Sequence, residues 1–323
     1  ETIMDFTTKV NISSGSFKMR LPDKSIMLGS CFAEKIGNMM RDYQMDCVVN
    51  PFGVLYNPIS IFQIIRFSLS DVYDDDIEKY VFCHESNPNK WFSFLHSTLF
   101  QADSREECRE MIMRSLHELQ ERLRVSQNLF ITLGTNHCYN LKSEKPFCVS
   151  NCHKLPSKMF DELVADVEDI VGMGKDVIKR LRTFNKEIRI VFTVSPYRYA
   201  KYGFHENQLS KSCLLLSIDK LQKEFSGVYY FPAYEIVNDE LRDYRYYADD
   251  MLHVSSVATD YIWDCFKNNW TDNRTQEFIR MWEPIKRGLE HRPSNPESKE
   301  YKEFLQKLQV KKVEAEKYKN DEY

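Results

Sequence analysis

Two clusters of residues in this sequence have the types and spacing that nucleophilic chemistry needs. The first is Gly29-Ser30-Cys31, within "LGSCFAEKIG" at 28–37. Two small residues with nucleophilic side chains follow a short apolar run that ends in glycine. An apolar-periodic segment with Phe32, Ile36, Met39 and Met40 comes next. The pair therefore sits where a strand turns into a helix, and a helix start offers free backbone N–H groups and a dipole that favours an anion. A thiol placed there is expected to ionise more readily than usual. The second cluster is Asp250-Met251-Leu252-His253. An acid-x-x-His turn can lay a carboxylate on an imidazole, which makes His253 the candidate base and Asp250 its orienter, ahead of Asp249. A histidine that merely caps the helix beginning near Val254 fits the same spacing. Covalent hydrolysis also needs donors for an oxyanion. The backbone N–H at residue 30 or 31, the N–H of Gly53 and the side-chain amide of Asn136 are the candidates. Gly53 as a plain turn glycine and Asn136 as a residue bonding its own loop are the structural alternatives. From these residues alone the nucleophile is Ser30, Cys31 or neither.

Other polar clusters are candidates for binding. "NCHKLP" pairs Cys152 with His153, and His137 adjoins Cys138. If they converged, His137, Cys152 and His153 could serve a metal-dependent hydrolase. The Cys-x-x-Cys spacing of a structural zinc site is absent, however, so no metal is expected, and His153 or His137 is read as lining a pocket or as a satisfied polar residue at a strand end. "SPYRYAKYGFHENQLSKS" supplies Arg198, His205, Glu206, Asn207 and Lys211. A surface loop with ordinary ion pairs would explain it. As a pocket wall, Arg198, His205 and Asn207 would contact substrate, since a guanidinium suits a carboxylate or sugar hydroxyls. Tyr197, Tyr199 and Tyr202 add area for packing on a sugar face. No motif implies a cofactor.

These residues need elements to position them. Strands are expected at 25–28, 47–49, 128–134, 188–196 and 228–234, several of them nearly continuous apolar runs, as in strands covered on both faces. Helical patterns alternate with them. One spans about 104–125 behind a Ser104/Glu107 capping box. Another follows Pro156, with Phe160, Leu163, Val167 and Ile170 at helical spacing, and more are expected at 207–223, 254–267 and 300–316. The alternation predicts an α/β fold with a parallel sheet between two helical layers. The polar segments 29–31, 50–53, 134–136 and 195–199 all fall at strand carboxyl ends, where open α/β sheets build their sites, and 246–253 precedes a helix.

The chain has 323 residues and a formal net charge of -4. Neither figure suggests a nucleic-acid partner, and no apolar run is long enough to span a membrane. Nine scattered cysteines suit a reducing, cytoplasmic setting. The start at Glu1 suggests that an upstream segment has been removed. A main domain is expected over 1–268, with a helical insertion at about 61–127, followed by a helical extension over 269–323 that ends in a charged tail.

"LGSCFAEKIG", "NPFGVLYNP", "TLGTNHCY", "NCHKLP", "TVSPYRYAKYGFHENQLSKS" and "FPAYEIVNDELRDYRYYADDMLH" together resemble the GSCFA family over roughly 5–310. That family is similar in turn to the SGNH/GDSL hydrolases. The resemblance implies a flavodoxin-like three-layer core and an esterase acting on acyl groups, often acetyl groups on carbohydrate, through an acyl-enzyme. It maps the nucleophile block onto Gly29-Ser30-Cys31, the oxyanion glycine onto Gly53, the Gly-x-Asn block onto Gly134-Thr135-Asn136 and the Asp-x-x-His block onto Asp250–His253. SGNH enzymes usually read Gly-Asp-Ser. In that register Ser30 takes the aspartate place and Cys31 the nucleophile place. The implied partner is a small-molecule or glycan ester. A non-catalytic glycan or small-ligand binding module on the same fold is the alternative.

Overall fold

The computed structural model describes residues 7–13, 17–70, 77–85, 87–293 and 295–321. Ser86, in the insertion, and the last two residues of the charged tail lie outside this set. In chain order the strands are β1 (Ser25–Gly29), β2 (Cys47–Val49), β3 (Val81–His84), β4 (Asn87–Ser93), β5 (Asn128–Leu133), β6 (His137–Leu141), β7 (Phe147–Val149), β8 (Phe160–Val164), β9 (Arg189–Val194) and β10 (Val228–Tyr230). The main helices are α1 (Cys31–Asp42), α2 (Pro58–Ser68), α3 (Arg105–Val125), α4 (Val167–Phe184), α5 (Phe204–Glu224), α6 (Ser256–Trp270), α7 (Asn273–Glu290) and α8 (Lys299–Asn320).

Five strands form one parallel sheet in the order β10-β9-β5-β1-β2. Counted along the chain this is 2-1-3-4-5, the flavodoxin-like order of a doubly wound fold. Successive side chains of a strand point to opposite faces, and the two cores divide accordingly. Ile26, Leu28, Leu129, Ile131, Ile190 and Phe192 join a core with residues of α2, α3, α4 and α5. Met27, Phe130 and Val191 join the other, with α1, α6 and α7. Both faces are covered, so the strands read as unbroken apolar runs rather than as alternating ones. The result is a three-layer α/β/α protein with helical additions.

The segment after Pro156 differs from expectation. The helix after Pro156 does not include Phe160 and Leu163, which lie on β8, an antiparallel partner of β6 in a three-stranded sheet ordered β7-β6-β8. The helix starts only at Val167, because Asp166 and Asp169 form a reciprocal capping box there. Phe160 is buried on β8, whereas Leu163 is 45% exposed, so the two do not share the buried face that a helix would give them. The insertion holds most of α2, the β3–β4 hairpin and α3. Among the described residues no helix is long and apolar enough to cross a membrane. All nine cysteines are unpaired.

Candidate active site

Parallel pairing puts the carboxyl ends of the five central strands on one edge, and hydrogen bonds tie the polar loops there together. The Gly29 N–H donates to Asn50 Oδ1 at 2.9 Å, and the Leu55 N–H to the Gly29 carbonyl at 2.9 Å. The Ser30 N–H reaches the Thr132 carbonyl at 3.3 Å, and the Gly134 N–H reaches the Tyr56 carbonyl at 2.7 Å. Gly29 is glycine for a physical reason. Its φ is +133°, and a Cβ there would stand 2.1 Å from the Thr132 carbonyl oxygen.

Ser30 and Cys31 have different surroundings. Ser30 is the N-cap of α1, 1% exposed, and its Oγ accepts from the Phe32 N–H at 3.3 Å. Cys31 is the first helical residue and is only half-buried. The easily ionised thiol expected from the helix start is not what the structure holds. Burial pushes the Cys31 thiol up, and the nearby Lys35 ammonium and the Phe32 N–H oppose that only in part.

The Asp250–His253 turn forms. Asp250 Oδ2 lies 2.5 Å from His253 Nδ1, and Asp250 Oδ1 accepts from the backbone N–H groups of Leu252 and His253, both at 2.9 Å. The hydrogen bonds from the His253 ring and from these N–H groups hold the Asp250 carboxyl well below the usual carboxylate range. His253 does not cap the next helix. Ser255 does so, accepting from the Ala258 N–H. With Nδ1 on Asp250, Nε2 is the nitrogen that His253 can turn to chemistry. The Tyr197 ring lies 4.4 Å from the His253 ring, and Tyr197 is close enough to both Asp250 and Cys31 for their charges to raise its phenol, after burial as the main cause. Lys35, one turn after Cys31, donates to the Val254 carbonyl at 3.3 Å. The start of α1 and the His253 turn thus share one rim.

The remaining expected residues divide. Arg198 belongs to this rim. Its backbone N–H bonds the Leu252 carbonyl at 3.1 Å and its guanidinium bonds the Met251 carbonyl at 3.0 Å, so it holds the histidine turn. Asn207 is buried, and its Oδ1 accepts from the Tyr199 N–H at 2.9 Å, which makes it a support for that loop. His205 is exposed on the first turn of α5. His153 is a correction. It is 4% exposed, its Nε2 lies 2.9 Å from the Ser93 carbonyl, and it packs among the rings of Phe82, Phe92 and Phe94, so it supports the insertion and does not line a pocket.

Both further oxyanion candidates are already engaged. The Gly53 N–H closes a turn on the Asn50 carbonyl at 2.7 Å, and the Asn136 amide donates to the Ala165 carbonyl at 2.8 Å. The histidines named for the metal alternative have other partners. His137 Nδ1 lies 3.0 Å from Glu162 Oε1 and its ring stacks on Tyr202. Among the described residues, no three or more His, Cys, Asp and Glu side chains are arranged to hold an ion.

Two residues escaped sequence reasoning. Asn50 is buried, accepts the Gly29 N–H, and leaves its own Nδ2 without a partner beside the β1–α1 turn. Lys211, named from sequence in a segment read as a pocket wall or a surface loop but given no role, is 1% exposed, and its Nζ donates to the Gly134 and Ser195 carbonyls at 2.6 and 2.7 Å. A signal for Lys211 was present. Asn207, Ser210, Lys211, Leu214 and Ile218 form one buried helical stripe.

A parallel 2-1-3-4-5 sheet with helices on both faces and polar loops gathered at the strand carboxyl ends is the build of a doubly wound α/β protein. The chain belongs to the GSCFA family, whose model matches residues 24–266. A GSCFA domain protein, C-terminal domain model matches residues 282–320. Comparison with curated proteins finds no match.

Proposed function

We propose that this protein is an SGNH-like hydrolase, an esterase that removes an acyl group such as acetyl from a carbohydrate or small ester through a covalent acyl-enzyme on Cys31. The observation that carries this reading is the Asp250–His253 hydrogen bond on the rim shared with the start of α1. In the proposed cycle His253 Nε2 takes the Cys31 thiol proton as Sγ attacks the ester carbonyl carbon. The Cys31 backbone N–H holds the oxyanion, because the Ser30, Phe32 and Gly53 N–H groups and the Asn136 amide would have to release their present partners first. The ester C–O bond breaks and the leaving alcohol takes the proton from His253. Water then gives a proton to His253 and attacks the thioester carbonyl. The C–S bond breaks, the acid leaves, and the proton returns to sulfur. Asp250 stays ionised throughout and orients the ring. Thiol chemistry starting from a raised, neutral Cys31 needs such a base. The seat of Ser30, buried and committed as the N-cap, supports Cys31 as the nucleophile. In this reading residues 1–268 form the catalytic domain and 269–323 an extension packed on it.

The test is turnover of p-nitrophenyl acetate and of acetylated sugars, with peptide mass spectrometry of the trapped intermediate. The expected results are an acetyl adduct on Cys31 and a loss of at least ~10²-fold in turnover for a folded His253→Ala variant. Binding of acetylated sugars without turnover would instead identify a non-catalytic binding module. An adduct on Ser30 that persists in Cys31→Ala would transfer the role to the serine.

A further inference from the structure

The turn that carries His253 is held between two cations. Tyr247 and Val254 pair as an antiparallel bridge. The Ala248 N–H reaches the His253 carbonyl at 2.8 Å and the Ser255 N–H reaches the Tyr246 carbonyl at 2.9 Å, so the turn is a closed hairpin. Arg198 binds it at the Met251 carbonyl and Lys35 at the Val254 carbonyl, at 3.0 and 3.3 Å. A carbonyl satisfies one N–H of such a group but does not cancel its charge. Acids are close in the chain, since Glu34 adjoins Lys35, and Asp249 and Asp250 precede Met251. Asp250, however, is turned to the His253 ring. Among the described residues neither cation has an ion-pair partner.

The Arg198 guanidinium is the more firmly held of the two. Nη1 is engaged on Met251, whereas Nε and Nη2 have no hydrogen-bond partner among the described residues and are open to solvent. The ring centres of Phe204, Tyr247 and Tyr244 stand 4.3, 5.3 and 5.5 Å from Cζ, which fixes the guanidinium plane. An Nε–Nη2 edge held in this way offers two parallel N–H donors, the arrangement that takes a carboxylate or a phosphate bidentately.

We propose that Arg198, with Lys35 as a second cation, is a specificity-determining residue that selects an ester carrying an anionic group, a carboxylate or a phosphate, on its alcohol part. An acetyl group has no charge, so the anion belongs to the alcohol. The proposal rests on the reading of this rim as an esterase site and names the class of its substrate.

The experiment compares kcat/KM for glucose, glucuronic acid and glucose 6-phosphate, each acetylated at the same hydroxyl, in wild type, Arg198→Gln and Lys35→Gln. Glutamine at 198 keeps a donor for the Met251 carbonyl and loses the charge. Wild type should prefer an acidic sugar to the glucose ester by at least ~10-fold, the scale of hydrogen bonds to a charged group, mainly through KM. The preference should weaken with added salt and disappear in Arg198→Gln. Lys35→Gln should reduce it by a few-fold. Whether the glucuronate or the phosphate ester is favoured tells which anion the fork takes. Calorimetric titration of the same esters into Cys31→Ala, with and without Arg198→Gln, reads the selection without turnover. Equal treatment of acidic and neutral esters by wild type, a preference kept in folded Arg198→Gln, or no binding of any of the three would overturn the proposal. Failure of the esterase reading alone would appear as no turnover of any ester, with tighter binding of an acidic sugar that Arg198→Gln abolishes.

Discussion

Ser30 and Cys31 are neighbours in sequence, yet the helix start divides their work. The serine side chain turns back to accept from the Phe32 N–H, and the cysteine is left at the first helical position. Ser30→Ala should therefore lower stability by about 1 kcal/mol, the usual cost of losing an N-cap, and leave acyl turnover within a few-fold. Cys31→Ala should show the opposite, near-normal stability with acyl turnover lost. Denaturant melts and steady-state rates on the same pair of variants separate the roles, and a Ser30→Ala enzyme that is stable but inactive would reverse them. The residue types were legible in the sequence. The division was not, because it depends on which side chain the N-cap geometry turns inward. The same holds for His153, whose polar type suggested a pocket but which the Phe82, Phe92 and Phe94 rings enclose.

At the scale of elements, the site depends on turns that touch. Arg198 leaves the end of β9 and holds the turn that carries His253 by two hydrogen bonds to its carbonyls. Arg198→Ala removes one of them and should lower kcat by about tenfold while Asp250 and His253 remain in place, since small misplacements of a base are costly. Steady-state kinetics with circular dichroism check this. An unchanged kcat would mean that the backbone bond to Leu252 alone holds the turn. Gly29→Ala tests the β1–α1 junction. Its Cβ would collide with the Thr132 carbonyl of the neighbouring strand and its φ suits glycine, so a loss of about 3 kcal/mol is expected by denaturant unfolding. From sequence, Gly29 reads only as a turn residue. The close approach of β5 is a tertiary fact.

Over the whole molecule, a buried lysine leaves a signature in pH-dependent stability. Lys211 titrates near 7 when folded and near its ordinary 10.5 when unfolded. Between those values the unfolded chain binds the extra proton and the folded chain does not, so stability from this group rises with pH across the window. The stability of wild type relative to Lys211→Met should accordingly increase between about pH 7 and about pH 9 in denaturant melts. A constant difference would show that the lysine keeps its charge in the fold. The two cores that cover the faces of the sheet arise because successive side chains of β1, β5 and β9 point to opposite sides.

The sequence by itself determined the parallel sheet and most of the helices, because fully covered strands and amphipathic helices impose periods that local reading detects. It also offered the Asp250–His253 pair, since a carboxylate three residues before a histidine can meet it within one turn, as it does in the structure. The tertiary structure decided what depends on contacts far apart in the chain. It set Phe160–Val164 beside β6 as a strand, where a helical spacing was equally readable. It tied up the Gly53 N–H and the Asn136 amide. It also buried Lys211 beneath the ends of β5 and β9, because only the packing of α5 on the sheet removes water from that ammonium and brings the two carbonyls that replace it.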